Sequence, residues 1–323
     1  MRHTGRGFTL IELSIVLVII GLIVGGVLVG RDLISAAEVR ATIAQVEKYS
    51  TAANTFRGKY GQLPGDIRNP DAPNFGFLSR GAYGGEGDGN GVIEGIDGNV
   101  ANDYSGTLIF SGEEAMFWVD LSTARLIEGG FKTAVPTSSS VPVTNPALYI
   151  PEAKVGKGNY IYVWSGGYGI DKGAGNGGSG ATTGPGGSYS DTYLQGLTGS
   201  NGSNYFGLSA VSGSSVAGGD TDPGLTVSQA YAIDKKVDDG FPQSGAVTAM
   251  YPNYLASYWI LWAQGPPHLG NNGYISAPNS GATATSGSAT TCYDNAGQAG
   301  LNQTYSLSQN NSNINCALSF RFQ

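Results

Sequence analysis

The sequence predicts an α+β fold: one long apolar N-terminal helix packed on a globular head with an antiparallel β-sheet and long Gly/Ser-rich loops. Three observations carry this. Phe8 to Gly30 is an apolar run in which Glu12 is the only charged residue. That run passes without a break into helical spacing at Val39, Ile43, Val46, Ala53 and Phe56, which fall on one helix face. Beyond residue 58 the β-forming segments are short and bounded by glycines, the pattern of a small sheet with extended connections.

The predicted helix covers residues 8–57, a rod of about 75 Å at ~1.5 Å per residue. Its first part is long enough to cross roughly 30 Å of hydrocarbon. Gly58-Lys59-Tyr60-Gly61-Gln62-Leu63-Pro64-Gly65-Asp66 ends it with glycine and Pro-Gly turn punctuation. Ser111 to Ile127 reads as a second amphipathic helix, with Ser111 as N-cap, Glu113 and Glu114 in the first turn and Gly129-Gly130 closing it. Tyr160–Trp164 and Ser257–Ala263 read as strands. Cys316–Phe322 reads as a final strand with Leu318, Phe320 and Phe322 on one face. Thr226–Asp239 reads as a short helix closed by Gly240 and Pro242, with Asp234, Asp238 and Asp239 at a solvated end. Residues 165–224, dominated by Gly, Ser, Thr and Asn, read as a loop region anchored by Tyr205, Phe206 and other tyrosines.

The 323 residues include 52 Gly and only 13% charged residues, with 40% hydrophobic, which excludes a wholly disordered chain. A net charge of −7 and a pI near 4.8 disfavour nucleic-acid binding through a basic surface. Arg2, His3 and Arg6 precede the apolar run, and the positive-inside bias keeps that short end cytoplasmic. The head is then exported to a compartment where disulfides persist, so Cys292 and Cys316 are expected to pair. Closing that loop contributes about 3 kcal/mol through the unfolded state.

Neither an ordinary signal peptide nor a plain anchor accounts for Glu12, because a carboxylate within a bilayer is costly without a partner. Gly7 followed by Phe8-Thr9-Leu10-Ile11-Glu12-Leu13 and a long apolar run resembles the N-terminal signal of type IV pilins and type II secretion pseudopilins. The arginines of the leader, Gly7 before the cut, Phe8 after it and Glu12 four residues on all match. Tyr60 with Leu-Pro-Gly-Asp66, and Ile-Asp-Lys-Lys…Asp-Asp-Gly…Pro within 230–242, are similar to elements of pilin-like heads.

The resemblance implies a pilin-like α+β fold with a leader at 1–7, an assembly helix at 8–57 and a head at 58–323. It implies cleavage between Gly7 and Phe8 by a prepilin peptidase, which also methylates the Phe8 amine. The partners implied are other pilin or pseudopilin subunits and an inner-membrane assembly platform. The chain would cross the bacterial inner membrane once, head in the periplasm, before entering a pilus or pseudopilus. Glu12 would pair with the Phe8 ammonium of a neighbouring subunit; burying either charge alone is disfavoured, so the pair sets the axial register. Many pilins carry a proline within this helix, whereas this chain has Gly21, Gly25, Gly26 and Gly30. Those glycines suit either local melting or close helix packing.

The function implied is that of a structural subunit of a type IV pilus or pilus-like filament. The alternatives are a minor pseudopilin of a type II secretion system, or a pilin stalk carrying an adhesin or binding module. An exported enzyme is the distant reading. After leader removal His268 is the only histidine, and no nucleophile elbow, phosphate loop or zinc spacing is present.

One stretch of the head follows a metal-loop template: Glu86-Gly-Asp88-Gly-Asn90-Gly91-Val92-Ile93-Glu94-Gly-Ile-Asp97. Side-chain oxygens at Glu86, Asp88, Asn90, Glu94 and Asp97, with the Val92 carbonyl, would supply a structural calcium ion, and Gly91 would permit the sharp turn. The same composition also suits a soluble Asp/Asn/Gly turn cluster.

Overall fold

The computed structural model describes residues 9–81, 85–96, 104–105, 109–136, 143–165, 203–213, 220–253, 259–263, 291–294 and 304–323. The elements run α1 (Leu10–Tyr60), α2 (Asp71–Asn74), β1 (Gly95–Ile96), β2 (Tyr104–Ser105), α3 (Gly112–Thr123), β3 (Asn159–Ser165) and β4 (Asn204–Gly213). They continue as β5 (Asp220–Asp222), β6 (Leu225–Thr226), α4 (Val227–Val237), β7 (Val247–Thr248), β8 (Met250–Asn253) and β9 (Trp259–Trp262). The chain ends with β10 (Tyr293–Asp294), β11 (Thr304–Tyr305), α5 (Leu307–Asn310), β12 (Ile314–Cys316) and β13 (Leu318–Arg321). This is the α+β, pilin-like layout that the sequence predicts.

α1 is one unbroken helix of 51 residues that runs straight through the four glycines. Its two halves live in different surroundings. Leu33 and Ile34 are still 67% and 61% exposed, whereas Val39 is 3% exposed, and from there the helix is part of the head. The buried positions Val39, Thr42, Val46, Tyr49, Ala53 and Phe56 recur at three- and four-residue steps, the face of a 3.6-residue helix. Gly61, at φ 78°, ends the helix in the left-handed conformation that glycine adopts without strain, and its N–H donates to the Arg57 carbonyl at 2.8 Å. Gln45 clamps α1 to the head: its Nε2 donates to the Glu152 carbonyl and its Oε1 accepts from the Lys154 N–H, both at 2.9 Å.

The central antiparallel sheet has the order β3-β4-β13-β7, with β5 paired to β4. β4 sits in the middle, opposed by β3 from Asn159↔Ala210 to Ser165↔Asn204 and by β13 from Leu318↔Leu208 to Arg321↔Tyr205. Residues 165–224, expected as loop, therefore contain the central strand of the sheet. The reason lies in its small residues. Gly207 faces Tyr162 in the register, and a Cβ there would stand 2.1 Å from the Tyr162 ring. Ser209 accepts or donates a 2.8 Å bond with the Tyr162 hydroxyl. Those residues break the alternation that marks a strand while making room for an aromatic neighbour.

The core lies between this sheet, α3 and the second half of α1. Trp118 of α3 meets Tyr49 of α1 edge-on at 5.0 Å, and Phe206 of β4 stacks on Phe322 at 4.2 Å. The expected final strand is split at Ala317 into β12, paired with β6, and β13 in the main sheet. Cys292 and Cys316 form a disulfide, as expected, joining the β10–β11 hairpin to β12.

The helix end at Asp234 differs from its expected solvated state. Asp234 is buried, accepting from the Tyr305 hydroxyl at 2.7 Å and the Gly240 N–H at 3.1 Å. Asp238 is half-buried and accepts from the N–H groups of Ala246 and Val247, fastening the 238–247 loop, while Asp239 is exposed as expected.

Candidate functional site

Two regions collect the chemistry. The first is the start of α1. Thr9 and Glu12 form a capping box: the Thr9 N–H and hydroxyl both donate to Glu12 Oε2 at 2.8 Å, and the Glu12 N–H donates to Thr9 Oγ1 at 3.3 Å. This arrangement satisfies helix N–H groups that otherwise lack partners. Glu12 is therefore held by its own chain in the single subunit. Gly7 and Phe8 lie outside the described residues. Around Glu12 the helix presents exposed Leu10, Ile11, Leu13, Ile15, Leu17 and Val18, and this apolar surface continues to Ile34. The helix is long and apolar enough to cross a membrane.

Residues 2–28 match the family described as the prokaryotic N-terminal methylation motif. The chain starts with the signature of type IV pilins and pseudopilins. No curated protein and no solved structure matches the chain. The pilin-type start implies processing by a prepilin peptidase and assembly with other pilin subunits, through a helix that anchors the chain in a membrane.

The second region is the loop 85–96 of the head. Two carboxylates from outside the loop organise it. Asp66, from the turn after α1, accepts from the N–H groups of Gly89 at 2.7 Å, Asn90 at 3.1 Å and Gly91 at 2.9 Å. Glu113, at the start of α3, accepts from Gly87 at 2.9 Å, Asp88 at 3.3 Å and Glu94 at 3.0 Å. Asn204 of β4 ties the far side, accepting from the Ile93 N–H at 2.8 Å and donating to the Gly91 carbonyl at 2.9 Å. Close backbone approach needs glycine at two points. A Cβ on Gly65 would stand 2.2 Å from the Glu113 carbonyl oxygen, and one on Gly112 would stand 2.3 Å from that of Gly85.

The structure brings together a different group of carboxylates from the one the calcium template names. Carboxylate oxygens of Asp66, Asp88 and Glu113 lie within 4.8 Å of one another. Of these only Asp88 belongs to the expected set. Glu86 and Glu94 are buried but not members of that group, and Asp97 lies outside the described residues. Asn90 Oδ1 accepts from the buried Val92 N–H at 2.7 Å, and Asp88 Oδ1 accepts from the Asn90 N–H at 3.0 Å.

Burial, together with the charge of Asp88, pushes Asp66 up to about 8 despite the amides of Gly91 and Gly89. Burial and the charges of Asp66, Asp88 and Glu94 drive Glu113 well above the carboxylate range. Nearby, Arg80 and Asp120 form a fully buried ion pair, and Asp120 also accepts from the Gly65 N–H at 2.7 Å. Sequence reasoning treated Asp66 as a turn residue and Glu113 as a first-turn helix acid. No local pattern marks either as a loop organiser, because the loop meets them only after the chain folds back.

Proposed function

We propose that the protein is a structural subunit of a type IV pilus or pilus-like filament. The prepilin peptidase cuts between Gly7 and Phe8 and methylates Phe8, and the subunit then polymerises through α1. The observation that carries this is the methylation motif at 2–28 placed on a helix whose apolar surface is exposed from Leu10 to Ile34. Glu12 then exchanges its capping bonds to Thr9 for the Phe8 ammonium of a neighbour. The head lies on the periplasmic side, which the leader arginines and the Cys292–Cys316 disulfide support. The protein acts by polymerising rather than by catalysis, and an inner-membrane platform feeds it into the fibre.

The test is the state of the N-terminus and the location of the protein. Mass spectrometry of the mature chain should find N-methylated Phe8, and sheared surface fibres should contain the subunit. An unprocessed chain that begins at Met1 in cells with an active prepilin peptidase overturns the proposal. Processed protein confined to the periplasm, encoded among secretion genes, reassigns it to a secretion pseudopilus.

A further inference from the structure

We propose that Asp234 of α4 and Tyr305 of β11 form an acid-tightened latch that controls access to the Cys292–Cys316 disulfide. The Tyr305 hydroxyl donates to Asp234 Oδ2 at 2.7 Å and pins the β10–β11 hairpin to α4. That hairpin consists of the pairs Tyr293↔Tyr305 and Asp294↔Thr304, too short to hold without tertiary fastening. Cys292 directly precedes it, and the Cys292 carbonyl accepts from the Ser306 N–H at 3.0 Å. Both cysteines are fully buried, so a reductant reaches their sulfurs only when this corner opens.

The surroundings of Asp234 make the latch respond to acidity. Asp234 is buried, and carboxylate oxygens of Asp234, Asp238 and Asp239 lie within 4.8 Å of one another. The two neighbours are held there by the loop that follows α4. Asp238 accepts from the Val247 N–H at 3.1 Å, and Asp239 accepts from the Phe241 N–H at 2.8 Å and the Ser244 hydroxyl at 2.7 Å. Lys235 of α4 turns to the Tyr231 hydroxyl at 2.9 Å, and Lys236 is exposed. Tyr293 and Asp294 stand on β10, and Tyr49 is the titratable group on the buried face of α1. β6, β7, β12 and α5 bring no acid or base to α4. Burial, then the charges of Asp239 and Asp238, raise Asp234 from 3.8 to about 7 despite the bonds from Tyr305 and Gly240. In the opened corner Asp234 meets water and titrates near 3.8 again, so the closed latch holds a proton that the open one loses. Closure is strongest in acid, weakens about tenfold per unit as pH rises toward about 7, and then levels off. The device ties the reducibility of the disulfide to the acidity around the head.

The test exposes the full chain in detergent, with a chelator present, to a dilute phosphine, so that the rate of reduction tracks the open fraction. The phosphine becomes its oxide, taking oxygen from water, and the disulfide becomes two thiols, which are counted by maleimide labelling and mass spectrometry. Each rate is divided by that of the denatured chain at the same pH. The ratio should rise about tenfold between pH ~5 and ~6 and flatten above pH ~8. Low urea should leave it nearly unchanged, because a local opening exposes little surface. Asp234→Asn can accept from Gly240 through Oδ1 and donate to the Tyr305 oxygen through Nδ2 without a charge, so its ratio should stay at the acid level throughout. Tyr305→Phe keeps the ring but deletes the donor, and should raise the ratio about tenfold at pH ~5. A wild-type ratio that is flat or falls with rising pH overturns the proposal. So does a ratio that follows global unfolding in urea, or a folded Asp234→Asn variant that keeps the wild-type slope.

Discussion

Replacing Gly65 by alanine tests whether the seam between the α1 turn and α3 is as close as the structure makes it. Gly65 sits at φ 85°, and the added Cβ would stand 2.2 Å from the Glu113 carbonyl oxygen and 3.1 Å from the Phe117 nitrogen. Both obstacles are helix backbone, so no flexible side chain can swing away. A left-handed conformation costs a non-glycine residue roughly 1–2 kcal/mol. Forcing extra volume into a packed seam costs roughly a further 1–3 kcal/mol. The sum, about 2–5 kcal/mol, is a large part of the 5–15 kcal/mol typical of a domain. Gly61 provides the control, because it also has a positive φ, 78°, yet nothing lies within 4 Å of its would-be Cβ. Gly61→Ala should therefore show only the conformational cost of about 1–2 kcal/mol. Thermal unfolding of the full chain in detergent, followed by near-ultraviolet circular dichroism, reads both. Gly65→Ala should lower Tm by roughly 4–20 °C, at about 2–4 °C per kcal/mol for a head of this size. Equal shifts for the two variants would refute the steric reasoning.

Glu12→Ala and Glu12→Gln should both leave processing largely intact and impair fibre assembly, since neither supplies a charge for the Phe8 amine; normal fibres from Glu12→Gln would reduce Glu12 to a helix cap. Removing the Cys292–Cys316 bond, whose residues are 24 apart, should cost about 3 kcal/mol in urea unfolding, and an unchanged midpoint contradicts this. Asp66 has a folded value raised from 3.8 to about 8, so its contribution is full below pH ~4 and is lost as pH rises toward about 8. A melting series should show that decline, and Asp66→Asn should flatten it. Millimolar calcium should raise the melting temperature of the full chain, and no shift retires the calcium reading.

The elements legible in the sequence are those whose signal is local. The apolar run and the spacing from Val39 to Phe56 lie within a few helical turns, so α1 can be read directly, whereas its Thr9–Glu12 cap emerges only in the structure. The short helix beginning near Thr226 is legible in the same way, and the structure adds a full capping box between Thr226 and Gln229. β4 was hidden because Gly207 and Ser209 answer to Tyr162 on another strand, and that demand has no signature in β4 itself. The loop 85–96 was legible as a polar, glycine-rich turn. Its organisers, Asp66 and Glu113, come from separate elements, and only folding reveals that their carboxylates face its amides.

In a fibre built on α1, mechanical load has a simple route. A single hydrogen-bonded rod runs from the Thr9 cap to Gly61, and it is at once the part that neighbours grip and the spine of the head. Tension entering through the first half passes along that rod to the level of Gln45 without crossing the β-sheet. The described sheet packs beside the load-bearing line rather than within it. Residues added to the sheet side of the head therefore neither lengthen nor weaken the path that carries force.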